Sequence, residues 1–597
     1  MNNKRLLALF GTGVVLVLIF LVYWPVHSAE FIWDDAACLN DAAALRHGDS
    51  WTTFIFHGFC EWTNYFRPLV VGFFAGEVRV FDVRPGPMHV ISLCWHLANT
   101  LLVGLLANAM SGRHESRSKT PLIAPWMVML VYGLHPALIE PVAWIGSRFD
   151  LVVTFWMILG LLLNTVLRHP AVRAFAVAAC FFLAANSKEE AISFPLVLVL
   201  FDWLRADRAG HGPRGVIKEL WGRQFAVYLS VLVAGLIYLG LRYWAMGHLV
   251  QAHEEQPLFS LQRWQSVSHT YLIYWQLIVW PMVGLSPMHI VDKQQFAVIT
   301  LNNFASDFAA MTIFIFGIYQ WWKHKPLGCL ILAVSVSLLP VLGIFPIDFI
   351  PDLYHERYAM PAIAWCCVLL PRTLGSVTPS RSFSRVLPAS GALVAIAWLA
   401  LATMNVRATL PLWSEDRKLW LWALQSNPGS QDAMSNLLSA YMLHNDIHLA
   451  NQVADHLMTL SHPCALCMIN VASLAAEEGD TARVSAALAK AKEVMAAENP
   501  PAMVVLYIQA TGKLREMQGD LQGAEEAYRD AIAMKPMDPK ARTNLALLLA
   551  REGKEEEARR EITYSLQLLP PDLREPARSA FDRTLRRQGP SSQSQKE

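Results

Sequence analysis

Long apolar runs alternate with short charged connections from residue 6 to about 404, and beyond about 413 the spacing becomes that of charged, Ala-rich helices. The first run, Leu6 to Trp24, follows Lys4 and Arg5. A bilayer core takes roughly 20 helical residues at about 1.5 Å rise each, so this run is long enough to cross. It exceeds the roughly 7–15 apolar residues of a secretory signal, which predicts an uncleaved anchor with a cytoplasmic N-terminus. Ten further spans are expected near 87–110, 121–137, 149–167, 171–186, 190–204, 224–244, 304–322, 327–345, 358–373 and 386–404. Alternate connections at 111–119, 168–173, 205–223, 323–325 and 372–385 are rich in Arg and Lys, as cytoplasmic loops are. Eleven spans place the C-terminal region on the opposite side. The run "TYLIYWQLIVWPMVGL" at 270–285 would break this alternation if it crossed, so it is expected to be re-entrant or packed at the outer interface.

Composition agrees with a membrane solvent. Of 597 residues, 54% are hydrophobic and 16% charged, where soluble proteins carry about a quarter charged. A net charge of +1 excludes nucleic-acid binding through a broad basic field. The expected organisation is all-α: a polytopic membrane helix bundle over 1–412, a helical repeat region over 413–587, and a disordered tail over 588–597.

The second region has a period. Gly519 recurs as Gly553, Ala524 as Ala558 and Pro536 as Pro570, each 34 residues on. Asn445-Asp446 and Gly479-Asp480 are spaced alike, and six extra residues precede Gly519. A 34-residue period with small residues at crossings and Pro at the end is the tetratricopeptide pattern. About four repeats plus a capping helix near 574–586 fit the length. Stacked helix pairs of this kind form an α-solenoid with a concave surface suited to a protein or peptide partner.

Five of the nine cysteines, Cys94, Cys180, Cys329, Cys366 and Cys367, fall inside expected spans, where the thiol packs as a small hydrophobe. Cys38 and Cys60 are a possible disulfide of the first external loop. "CALC" at Cys464–Cys467 lacks the second CxxC or His pair of a zinc site, leaving packing or a local disulfide. No HExxH occurs among the 19 histidines.

The external charges are the most informative set. "FIWDD" ends in Asp34 and Asp35, just past the first span, and "NYFRPLVV" carries Arg67. "LHPALIEPVAWIGSRFD" carries His135, Glu140, Arg148 and Asp150, and "NSKEEAIS" carries Lys188, Glu189 and Glu190. Arg242 and Arg263 flank another external loop, and "PDLYHERYAMP" carries His355, Glu356 and Arg357. Charged groups at membrane depth tend to line cavities and mark substrate paths. A carboxylate can take a proton from a hydroxyl nucleophile, and arginines bind phosphate through paired N–H donors. A sugar joined through phosphate to a polyprenyl chain suits that combination: its tail lies among membrane lipids, its phosphate at the interface and its sugar outside. Its transfer demands no metal or other cofactor, since Arg and Lys supply the positive charge. Asp34, Arg148 and Arg357 are expected to meet in one outward-facing cleft.

The ordered series "FIWDD", "YFRPLVV", "HPALIEPVAWIGSRFDLV", "SKEEAISFP" and "HERYAMP", followed by the repeats, resembles the GT-C glycosyltransferases. More narrowly it is similar to the transmembrane-and-tetratricopeptide-repeat O-mannosyltransferase family, TMTC. The resemblance implies a GT-C-type bundle and transfer of mannose, or another hexose, from a polyprenyl phosphate to Ser or Thr of a protein. Carried over, it makes Asp34 the base and Asp35 its hydrogen-bond partner. Glu140 and Arg148 match its second-loop pattern, and Arg357 is the first phosphate candidate. Arg67, His135, Lys188, Glu189, Arg242, His355 and Glu356 complete the expected donor site. About four repeats are fewer than animal members have, which points to a bacterial relative in the inner membrane with periplasmic repeats; a eukaryotic chain would lie in the ER membrane. Glycosylation of a lipid or polysaccharide, as by aminoarabinose transferases, and a non-catalytic membrane-anchored scaffold are the alternatives. A transporter is disfavoured, since no inverted repeat of broken helices is evident.

Overall fold

The computed structural model describes residues 3–35, 39, 65–111, 123–206, 213–249, 257, 259–344, 353–375, 386–498 and 501–587, and the regular elements among them are helices. The proposed Cys38–Cys60 bridge and the tail over 588–597 lie outside the described residues. Two compact units are present: Met1–Ala29 with Asn64–Val70 and Met88–Ser414, and Glu30–Thr63 with Val71–Pro87 and Glu415–Glu597.

Six described helices are long and apolar enough to cross a membrane: Leu6–Ser28, Pro85–Met110, Ile145–Val166, Gly215–Met246, Leu301–Trp322 and Gly391–Trp413. Pro170–Ala185 and Pro326–Val341 are shorter apolar helices. The run expected at 190–204 is the 12-residue helix Phe194–Arg205, which at about 1.5 Å per residue falls short of a roughly 30 Å core. Leu301–Trp322 and Leu6–Ser28 bury only 17% of their apolar windows, and Phe175, Leu301 and Phe308 stand exposed. So much contiguous apolar surface needs lipid rather than water against it, so the chain is an integral, multi-pass membrane protein. Ile145–Val166, 67% buried, forms the centre with Met360–Gly375, whose Trp365 is fully buried.

The run expected at 121–137 is broken. Helix Ile123–Gly133 stops before His135-Pro136, and the chain bends by 57° into a second short segment ending at Ala143. Proline lacks the N–H that would continue the ladder and drives its predecessor out of the helical region; His135 accordingly has ψ 120°. This bend turns Glu140 inward. The 270–285 run forms the end of helix Leu261–Val279, and helical structure stops at Trp280.

In the second unit, four helix pairs follow one another: Gln431–Leu443 with Ile447–Thr459, Ala465–Glu478 with Thr481–Glu498, Pro501–Met517 with Leu521–Met534, and Pro539–Arg551 with Glu555–Leu568. Asp416–Ser426 precedes them and Pro571–Arg586 closes the series. Gln431–Leu443 packs on Ala465–Glu478, and Ala465–Glu478 on Pro501–Met517, so first helices stack on first helices through the first three pairs. Asn445, Gly479, Gly519 and Gly553, the residues that carry the sequence period, have φ of 59°, 79°, 84° and 79°. That left-handed turn reverses the chain inside each pair, and glycine enters it without a Cβ clash. Ala450, Ala524 and Ala558 are fully buried where the helices cross.

Candidate functional site

The first unit gathers most of the expected donor-site residues into one buried network. Pro68 opens a helix, and the Leu69 N–H at that open end donates to the Asn186 carbonyl at 3.1 Å. This bond brings Arg67 to the turn Glu189–Ser193. Arg67 donates through Nε and Nη2 to Glu189 Oε2 at 3.1 and 2.9 Å. Arg242 Nη1 donates to the other oxygen at 3.1 Å, while its Nε holds the Leu249 carbonyl at 2.8 Å. Two guanidinium groups thus share one carboxylate. The Glu189 side chain is 30% exposed, and it is the open edge of a network that is otherwise buried.

Deeper, Lys188 pairs with Asp150 and with Glu190, the latter at 3.2 Å. Its ammonium also lies 4.3 Å from the Tyr358 ring centre. Arg357 also lies against Tyr358 and Trp144, at 4.7 and 4.8 Å from their ring centres. Its guanidinium pairs with Glu140, whose second oxygen accepts the Arg357 backbone N–H at 2.9 Å. His355 Nδ1 lies 3.6 Å from Glu140, and Glu356 accepts from His289 at 2.9 Å and from the Ser286 N–H at 3.0 Å. Arg67 completes the chain of contacts, 3.9 Å from the Tyr65 ring and 4.8 Å from Phe149.

Partners favour the charged forms of Glu189, Lys188 and Glu356. Burial alone would raise the Glu189 carboxyl, but Arg67 and Arg242 outweigh it and hold it below the usual range. Burial would lower Lys188, yet Asp150 and Glu190 raise it. For Glu356, burial is again outweighed, here by His289. Opposite charge within a few ångströms favours the charged form over the desolvation penalty.

Two expected members are held elsewhere. His135 Nε2 lies 3.1 Å from the Ile278 carbonyl, tying the bend to helix Leu261–Val279. Arg148, fully buried, donates to Ser92 Oγ at 3.0 Å and to the Met88 carbonyl at 2.6 Å. Arg263 likewise reaches the carbonyls of Gly343 and Ile344. Arg357, expected to be the first phosphate ligand, is matched to its own carboxylate, whereas the Arg67–Glu189–Arg242 cluster has an open edge.

Asp34 and Asp35 belong to the second unit. Asp35, 1% exposed, folds back: its N–H donates to the Ile32 carbonyl at 3.1 Å and its Oδ2 accepts the Ile32 N–H at 3.2 Å. Backbone and side chain of Asp35 thus both close the turn on Ile32. Trp33 between them has φ 59°, which costs roughly 1–2 kcal/mol for a residue with a Cβ. Its N–H donates to Asp416 Oδ1 at 2.8 Å and its ring packs edge-on against Trp420 at 5.0 Å. Burial raises Asp416 to about 6, against the lowering effect of the bonds from Trp33 and Trp420. The two acids are therefore unlike: Asp35 is buried in the turn and Asp34 is exposed.

Sequence reasoning missed His289, Asp416, Trp420 and the rings of Tyr65, Trp144 and Tyr358. Asp416 stands 383 positions from Trp33, and nothing local marks it as a partner. For a cation, the described residues offer one group with suitable donors: Glu30, Glu415 and His444, whose ligand atoms lie within 4.8 Å of one another. Arg417 and Lys418 already approach Glu415 at 3.7 and 3.6 Å.

No protein-family model matches the chain, and no curated protein matches it. Among solved structures it is similar to ArnT from Cupriavidus metallidurans bound to undecaprenyl phosphate, with 13% identity, 88% of this chain and 80% of that chain covered, and a TM-score of 0.37. The same enzyme in the apo state gives 13% identity, the same coverage and a TM-score of 0.35. Scores this low do not establish a common fold, so function is read from the chain's own residues.

Proposed function

We propose that this chain is a membrane glycosyltransferase that moves a sugar from a polyprenyl phosphate to an acceptor hydroxyl. The observation that carries the reading is the Arg67–Glu189–Arg242 cluster: two buried guanidinium groups on one partly exposed carboxylate, within an apolar membrane unit. A phosphodiester arriving at that open edge would compete with Glu189 for the same N–H donors, and the pairing strengthens as the leaving polyprenyl phosphate becomes a dianion. Lys188 and Arg357 are already paired with Asp150, Glu190 and Glu140, so the two guanidinium groups of Arg67 and Arg242 are what would offset the negative charge gained by the leaving phosphate, the preorganised stabilisation that lowers such barriers most. In this reading Asp34 is the base that takes the acceptor proton, and Asp35 fixes the turn that presents it. The helix pairs beyond Ser414 support a polypeptide acceptor, and mannose is the sugar that the resemblance to the TMTC family implies.

The test is transfer of radiolabelled mannose from polyprenyl phosphate mannose to Ser/Thr peptides by the purified full chain in detergent. Asp34→Asn is expected to lower turnover about 10²–10⁴-fold, the range of a lost general base. Arg67→Ala with Arg242→Ala is expected to weaken donor binding. If wild type neither transfers sugar nor binds polyprenyl phosphate, or if Asp34→Asn equals wild type, the reading is wrong.

A further inference from the structure

Cys464 and Cys467 form a disulfide across three positions at the start of helix Ala465–Glu478. Its placement is unlike that of a structural brace. A disulfide stabilises by restricting the unfolded chain, and the effect shrinks with the loop that it closes; this loop is close to the shortest there is. The two sulfurs are also unequal. Cys464 is partly exposed at the helix N-cap, and Cys467 is fully buried one turn in. The Cys467 N–H lies 3.0 Å from Cys464 Sγ, so both the helix terminus and a directed donor favour a thiolate there.

The surroundings suit the reduced form too. Gln431 holds the turn, accepting the Cys464 N–H at 2.6 Å and donating to the His462 carbonyl at 2.9 Å. The Gln431 carbonyl lies 3.4 Å from Cys467 Sγ, an acceptor ready for a buried thiol proton.

We propose that Cys464–Cys467 is an exchangeable disulfide, a second reactive site that takes electrons from an accessible dithiol. One partner thiolate attacks Cys464 Sγ, forming a mixed disulfide and breaking the bond to Cys467, which leaves as a thiolate and takes a proton from water. The partner's second thiolate then attacks its own sulfur in the mixed disulfide and releases Cys464. The partner dithiol becomes a disulfide, and two electrons pass to this chain. This proposal is independent of sugar transfer.

The test uses the full chain in detergent under native conditions, with dithiothreitol as the dithiol and oxidised glutathione as the reference disulfide. Thiols are trapped by alkylation and assigned by peptide mass. The 464–467 bond is expected to open at least tenfold faster than oxidised glutathione; slower opening, or opening only in urea, overturns the proposal. In Cys467→Ser, the alkylation rate of Cys464 is expected to reach half-maximum at least one pH unit below that of free glutathione, and a midpoint at or above glutathione's also overturns it. Should that variant fail to fold by circular dichroism, the reduced wild type decides: Cys464 must be alkylated before Cys467.

Discussion

Removing the Glu140 charge strands Arg357. Glu140 is 3% and Arg357 6% exposed, and the carboxylate receives both the guanidinium and the backbone N–H of Arg357. Breaking a buried pair by deleting one partner costs about 3–5 kcal/mol, because the remaining charge is uncompensated. The rings of Trp144 and Tyr358 stay in place and retain up to about 2 kcal/mol of cation–π attraction, so Glu140→Gln belongs at the lower end, about 3 kcal/mol. At about 2 °C per kcal/mol for a large unit, the unfolding midpoint in detergent should fall by about 6 °C. The double variant Glu140→Leu with Arg357→Met removes both charges and should regain most of that loss, as apolar replacements of buried pairs do. Thermal unfolding followed at 222 nm, run as a double-mutant cycle, reads the coupling directly. A Glu140→Gln midpoint within about 2 °C of wild type, or a double variant no better than the worse single one, would refute the reasoning. Sugar transfer in the stable double variant separates brace from site: a pure brace leaves turnover intact, and a part in donor binding lowers it.

Three further outcomes follow from particular contacts. Asp416 titrates at about 6 in the folded chain against an ordinary 3.8. The folded form therefore holds its proton more tightly, so stability from this group is full below about pH 4 and is lost as pH rises through about 6, by about 3 kcal/mol in all. Asp416→Asn should flatten that slope in urea unfolding between pH 4 and 8, and a slope equal to wild type would contradict the burial argument. Asp35→Ala should cost about 1–3 kcal/mol by leaving the buried Ile32 N–H unpaired. Gly553→Ala, at φ 79°, should destabilise by about 1–2 kcal/mol, and Asn445→Gly at φ 59° should be neutral or stabilising; the same unfolding assay scores both.

Much of the architecture is legible locally. Apolar run length marks the crossing helices, because one helical turn and the bilayer thickness are fixed lengths. The 34-residue steps from Asn445 to Gly479 and from Gly519 to Gly553 mark the turns, because a left-handed reversal selects glycine or asparagine at one point in each helix pair. His135-Pro136 contained its own break, though hydropathy alone reads through it as one span. The acidic pair after the first helix and the Arg, Lys and Glu motifs could be singled out because charge is rare in such a chain.

Which charge meets which is another matter. Arg357 and Glu140 are 217 positions apart, Arg67 and Glu189 are 122, and Trp33 and Asp416 are 383. No periodicity links them, since each pairing is set by where separate helices end after packing. By itself the sequence determined membrane spans, a repeat length and a set of scarce charges. Tertiary structure decided that Arg357 is already neutralised, that Arg67 and Arg242 share a partly exposed carboxylate, and that Asp35 is buried while Asp34 is not. The physical reason is range: hydropathy and turn chemistry act between neighbours along the chain, whereas ion pairing and burial act between neighbours in space.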